Sequence, residues 1–332
     1  MTTIMPHPKL VTVFGGNGFV GRHVVRALAK RGYRVRVACR RPDLAGHLQP
    51  LGAVGQIMAM QANLRNRPSI DRAVEGADHV INLVGILHET GRNMFDPVQE
   101  FGARAVAEAA RAAGIPLSHM SAIGADSKYW SDYARTKGKA EEAIREIKPD
   151  ALIVRPSIIF GPEDNFFNKF ADMARLSPFL PLIGGGHTKF QPVYVADVAE
   201  VFARHVDGAI EGGRTLELGG PEVLTFRECL ETMLKVIQRK RRFITIPWYP
   251  ASVLGGIFSY VPLITPPFTQ DQVTLLKRDN VVSEAAKSEG RTLEGVGIKP
   301  TLLEVILPTY LTRFRVQGQF TKPDGPTAQN SN

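Results

Sequence analysis

The chain has 332 residues, 44% of them hydrophobic and 22% charged, a balance that excludes wholesale disorder and leaves ample apolar surface for one large domain or a core domain with a smaller lobe. Its formal charge of +9 and pI near 9.6 favour anionic partners, among them nucleotides, acidic proteins, anionic lipids and nucleic acid, without choosing between them. Two cysteines, Cys39 and Cys229, with no Cys-x-x-Cys or Cys/His spacing, exclude a disulfide framework and a zinc centre and fit a reducing compartment.

The opening "MTTIMPHPK" precedes the strand-like "KLVTVFGG" too closely to be a secretory or transit peptide, so the bacterial cytoplasm is the expected location. From residue 9 to 160, β-rich runs alternate with helical patterns. The runs are "LVTVF", "RVRVA", "QIMAM", "HVINLVG", "PLSHMSA" and "ALIVRPS", and their rhythm predicts an α/β fold, a Rossmann-type doubly wound parallel sheet. The first helix carries Val20, Val24, Ala27 and Leu28 on one face and ends at Gly32; "PVQEFGARAVAEAARAAG" predicts another, ending at Gly114. Residues 1–160 are thus expected to form the dinucleotide-binding domain. Residues 161–316, rich in Pro and Gly, are expected to form a smaller C-terminal lobe partly intermixed with the last strands. The polar tail 317–332 is expected to be disordered.

Gly15, Gly18 and Gly21 form G-x-x-G-x-x-G between a strand and a helix, with Gly16, Asn17, Phe19 and Val20 completing the loop. Glycines there permit a sharp turn and close approach of backbone to a pyrophosphate, while the helix N-terminus offers N–H groups to its charge; the alternative is a tight βα turn with no ligand. An NAD site wants an acid at the end of the second strand, but the chain reads "VRVACRRP", with Cys39 at that place and no carboxylate until Asp43. Arg40 and Arg41, with Arg22 just past the last glycine, would instead receive a 2′-phosphate, so NADPH (or NADP+) is expected over NAD(H), unless these arginines are merely solvated. Asn63 is placed to reach the adenine, Leu83, Val84 and Gly85 to form a backbone wall beside the ribose, and Pro156 to close the cofactor set.

"YARTK" sets Tyr133 and Lys137 four residues apart on one helix face. An ammonium beside a phenol favours the phenolate, allowing Tyr133 to exchange a proton with a substrate oxygen while hydride moves to or from a nicotinamide. By itself Y-x-x-x-K also arises by chance. Further along, Phe243 to Gln270 contains no charged residue and follows "RKRR", Arg239, Lys240, Arg241 and Arg242. Its five prolines argue against a membrane-spanning helix. Two readings stay open: a buried apolar floor of the lobe, or an apolar surface flanked by arginines that docks on a partner or an anionic membrane, with Trp248, Tyr249 and Tyr260 suited to such an interface. No nucleic-acid fold or motif accompanies the basic run, so nucleic acid is not expected as a partner.

"GGNGFVG", "VACRRP", "YARTK", "RPSIIFGPED", "FQPVYVADVA" and "ELGGPEVLTF" together resemble the extended or atypical branch of the short-chain dehydrogenase/reductase superfamily. More narrowly, "SAIGAD", "RPSIIFGPEDNFFNKF", "LPLIGGGHTKFQPVYVADVA" and "PPFTQDQVTLLKRDN" resemble the 39 kDa accessory subunits of respiratory complex I and their bacterial relatives, over about residues 9 to 315. That resemblance implies a reductase-like subunit of NADH:ubiquinone oxidoreductase that holds NADPH tightly, acts structurally beside the other complex I subunits, and lies peripherally on the cytoplasmic face of the inner membrane. Active members place a Ser or Thr after the fifth strand, where this chain has Ile123, with Ser121 two residues early; Ser121 is therefore a doubtful catalytic residue. Tyr133, Lys137 and Ser121 would then serve the nicotinamide ribose. The rival reading is an active NADPH-dependent reductase or epimerase acting on a hydrophobic substrate such as a quinone precursor or isoprenoid.

Overall fold

Strands buried on both faces of a parallel sheet read as near-continuous apolar runs, and the six runs of the first half become strands for that reason. A computed structural model describes residues 8–86, 94–259 and 268–316. In it β1 (Leu10–Phe14), β2 (Arg34–Cys39), β3 (Ile57–Gln61), β4 (His79–Asn82), β5 (Leu117–Met120) and β6 (Leu152–Pro156) fall on those runs. Between them lie α1 (Phe19–Lys30), α2 (Arg67–Val74), α3 (Phe101–Ala112) and α4 (Asp132–Ile147). α1 buries Val20, Val24, Val25 and Leu28 and stops at Gly32, whose φ of +82° suits only glycine at little cost. The second predicted helix differs at its start: Asp96–Glu100 forms a π turn ahead of α3. Pro97 within that turn has no N–H to give a regular helical ladder.

The second half supplies β7 (Ile159–Phe160), α5 (Phe167–Leu176), β8 (Phe179–Ile183), β9 (Lys189–Phe190), β10 (Val193–Tyr194), α6 (Val195–Val206), β11 (Thr215–Leu218) and β12 (Leu224–Thr225). It continues with α7 (Phe226–Val236), β13 (Arg242–Ile246), α8 (Trp248–Ser259), α9 (Gln270–Leu275), α10 (Glu284–Ser288) and α11 (Leu303–Leu311). The main sheet is parallel with order β11-β6-β5-β4-β1-β2-β3, so its order reverses between β1 and β4, the crevice where doubly wound sheets bind ligands.

One face of this sheet packs on α1 and α6 through Val24, Leu28, Val198 and Phe202, the other on α2, α3 and α4 through Ile70, Val106 and Ile144. A third core, in the C-terminal lobe, gathers Phe160, Phe167, Phe190, Phe226, Leu230 and Leu307, with edge-to-face rings such as Phe166 and Phe167 at 5.0 Å. Each such side chain contributes about 1.5–3 kcal/mol by burial. Polar ties fasten the lobe to the sheet layers. Arg22 pairs with Glu163 at 3.2 Å, and Asp197 accepts from the Thr301 amide at 2.8 Å and hydroxyl at 3.0 Å.

The uncharged stretch is not simply a buried floor. β13 pairs in parallel with β8, and Trp248 lies so close against Gly184 that a Cβ there would fall 2.0 Å from its ring. Yet Tyr249 is 80% exposed, and Phe179, Ile244, Val253 and Leu254 are also exposed, because a two-stranded ribbon and one helix leave an outer side with nothing to cover it. Within the basic run, Arg239 donates to the Phe314 carbonyl and Arg241 to the Ala174 carbonyl. Those two hold the lobe together, leaving Lys240 and Arg242 as the exposed members. Among the described residues no helix is long and apolar enough to cross a membrane. Tyr260 and the tail 317–332 lie outside the described residues.

Candidate functional site

The glycine loop joins β1 to α1 at the sheet's crevice. Gly15 has φ +76°, and its amide donates to the Ala38 carbonyl while its carbonyl accepts from Gly18, both at 3.0 Å. A Cβ on Gly21 would stand 2.2 Å from the Gly15 oxygen and 2.6 Å from Gly16 backbone atoms, so only glycine lets the helix meet the loop this closely. Gly18 caps α1 with no side-chain hydrogen bond, and the first turn of α1, with Phe19, Val20 and Gly21, contains no acid. The orphan amides of a helix N-terminus without a cap suit an anion. A dinucleotide pyrophosphate fits the loop Gly15–Gly21 on that chemistry.

At the end of β2, Cys39 is buried, and burial pushes its thiol up; it offers no charge to a ribose. Arg40 follows at the exposed strand end. Arg41 is ion-paired with Asp43 at 2.9 Å on the surface. Arg22, expected to face a phosphate, is instead engaged by Glu163, with His23 also 3.5 Å from that carboxylate. The Asn63 carboxamide oxygen accepts from the Arg65 amide at 3.1 Å, which fixes the turn after β3.

The remaining residues form a continuous line. A Cβ on Gly15 would touch Leu83 and Val84 at 3.2–3.3 Å, and one on Gly85 would lie 3.1 Å from Lys137 Nζ. Lys137, buried, donates to the Met120 carbonyl at 3.0 Å at the end of β5. Tyr133 stands one turn earlier on α4, with Phe95 edge-on at 6.1 Å. Trp130, 93% exposed, precedes it by three residues. Glycine loop, β4 exit and Tyr133–Lys137 helix are thus brought to one edge of the sheet. Pro156 lies at the same edge, its carbonyl accepting from Ile123 at 3.0 Å.

The electrostatics differ from the sequence expectation. Burial, reinforced by Asp271, pushes the Tyr133 phenol up to about 12, whereas burial brings Lys137 down to about 8, with Glu141 countering it. The low-dielectric surroundings outweigh the attraction expected of an ammonium, and the phenol stays a neutral donor.

Ser121 is buried and turned away from any substrate: its hydroxyl donates to Glu141 Oε1 at 2.5 Å. Glu141 in turn accepts from Arg155 Nε at 2.8 Å and Nη2 at 2.6 Å. Sequence reasoning missed this carboxylate, although it continues the Tyr133, Lys137 series by four residues along α4. It also missed Asp271, which accepts from the Asp132 amide at 2.8 Å and the Ser131 hydroxyl at 3.0 Å; the one signal was that Asp271 ends the uncharged run. Among the described residues no cluster of His, Cys, Asp or Glu has the arrangement of a metal centre.

Comparison with known proteins gives the same fold. Residues 11–219 match the NAD dependent epimerase/dehydratase family. The chain is 37% identical, over 83% of its length and 72% of the relative's, to an Arabidopsis thaliana protein named NADH dehydrogenase [ubiquinone] 1 alpha subcomplex subunit 9, mitochondrial. It is 32% identical, over 72% of its length and 74% of the relative's, to a ceramide reductase of Caulobacter vibrioides. Among solved structures, an Escherichia coli NADPH-dependent quinone oxidoreductase complexed with NADPH superposes with a TM-score of 0.70 at 18% identity, covering 90% of this chain and 99% of that one.

Proposed function

Because the chain belongs to the NAD dependent epimerase/dehydratase family, an NAD(P)-binding Rossmann fold, we propose that it is an NADPH-binding accessory subunit of respiratory NADH:ubiquinone oxidoreductase that holds its nucleotide without turning it over. The observation carrying the second half is the capture of Ser121 by Glu141, with Ile123 bonded into the β6 edge nearby: no hydroxyl beside Tyr133 is left to orient a substrate carbonyl. The first half rests on the plant relative's name and on the length of chain it shares. Respiratory complex I purified in mild detergent from the source organism is expected to retain this chain; its consistent absence would overturn the assignment. The exposed apolar face of α8, with Lys240 and Arg242 beside it, is the surface we assign to complex I neighbours or to anionic headgroups on the cytoplasmic face of the inner membrane.

NADPH is preferred to NADH in this reading because β2 ends in Cys39 and Arg40, not in a carboxylate. Arg40→Ala is expected to weaken NADPH by roughly 10- to 100-fold, the worth of a charge-assisted phosphate contact, and to leave NADH nearly unchanged. Titration of nucleotide fluorescence checks this; an unchanged preference would show that the 2′-phosphate lies elsewhere.

A second reading, an active reductase or epimerase on a hydrophobic substrate, is favoured by the retained pair Tyr133 and Lys137 and by the Caulobacter relative's name. It requires substrate-dependent oxidation of NADPH that collapses in Tyr133→Phe.

A further inference from the structure

Two helices begin at the nucleotide edge of the sheet, and their first turns are handled in opposite ways. α1 has no side-chain cap and no acid. In α4 every amide that helix geometry orphans in the first turn is taken by the protein itself. The Asp132 and Tyr133 amides donate to the Asp271 carboxylate at 2.8 and 3.4 Å, and the Ala134 amide to Ser131 Oγ at 3.3 Å. The first intrahelical bond then runs from Arg135 to the Ser131 carbonyl. The buried Ser131 hydroxyl donates to Asp271 at 3.0 Å, which locks the two caps together.

Asp271 comes from 139 residues downstream of Asp132, and α9 is built to hold it still. Thr269 and Gln272 form a reciprocal capping box around it. The backbone of α8 also abuts α9, since a Cβ on Gly255 would lie 2.7 Å from the Gln270 amide nitrogen.

We propose that Asp271 is a positioning residue for the nucleotide site: by capping α4 from another element it fixes the Tyr133 backbone, and hence the place where the phenol meets the nicotinamide ribose. This rests on the nucleotide reading above. The same carboxylate helps burial keep the phenol protonated, as a hydrogen-bond donor.

The test is NADPH affinity in Asp271→Ala, Asp271→Asn, Tyr133→Phe and the Asp271→Ala/Tyr133→Phe double variant, each checked for an intact thermal transition. Asp271→Ala is expected to weaken NADPH about tenfold, the scale of a lost helix cap. Asp271→Asn, which keeps one acceptor, restores most of it, and the alanine change adds nothing in the Tyr133→Phe background. Wild-type affinity in Asp271→Ala, or the same loss with and without the phenol, as general loosening would give, overturns the proposal. Failure of the nucleotide reading looks different, because the unaltered protein then binds no NADPH. Amide exchange at Asp132 and Tyr133 decides the cap in that event: faster by tenfold or more in Asp271→Ala and restored in Asp271→Asn supports it, and unchanged exchange overturns it.

Discussion

Gly21→Ala is expected to abolish nucleotide retention, with NADPH affinity falling roughly 100-fold or more, a loss of about 2.7 kcal/mol. The atoms that a Cβ would meet are the Gly15 oxygen at 2.2 Å and Gly16 backbone at 2.6 Å, so no side chain can swing aside and the loop itself must move. It cannot move cheaply: Gly15 is hydrogen-bonded to Ala38 on one side and to Gly18 on the other, and Gly16 rests on Val13 and Val37. Overpacking of this kind costs about 1–3 kcal/mol of stability, so the variant is expected to fold with a lowered melting temperature while its phosphate cradle is displaced. Fluorescence titration and thermal melts measure the two effects. Gly46→Ala, whose Cβ would meet nothing within 4 Å, serves as the control and is expected to match the parent protein in both.

Glu141→Ala is expected to be the most destabilising single change at the site, by about 3–5 kcal/mol, the scale for breaking a buried ion pair. Glu141 is 1% exposed, and its removal leaves Ser121 without its acceptor and Arg155 without two of its hydrogen bonds. Arg155 has Glu217 nearby at 3.6 Å, too far and too obliquely shared to replace the lost carboxylate. Urea unfolding followed by circular dichroism gives the magnitude; a loss under 1 kcal/mol would show that Glu217 takes over the pairing.

The sheet was legible because β1 to β6 are buried on both faces and so carry uninterrupted apolar runs. The glycine loop was legible because backbone crowding at Gly21 admits one residue type. What escaped was non-local. β7, β9, β10 and β12 have two residues each, too few for any period to emerge, and they are held by tertiary contacts. Asp271 acts across 139 residues on a helix whose own sequence already offers Ser131 as a cap, so nothing nearby advertises a second one. Glu141 was within reach, one turn beyond Lys137, but an acid on a helix is usually solvated, and only the tertiary position of Arg155 turns this one inward. Arg22 shows the converse: its place after the last glycine suggested a phosphate, and Glu163, from another element, claims it.

The chain has two tryptophans, and their settings are as unlike as a protein allows. Trp248 is wedged against Gly184, whereas Trp130 is bathed in solvent at the rim near Tyr133. The long-wavelength, acrylamide-quenchable part of the indole emission therefore originates at the rim. Reduced nicotinamide absorbs in the band where indole emits, so arrival of the dinucleotide dims that component through energy transfer, and the protein carries its own optical gauge of occupancy without a dye.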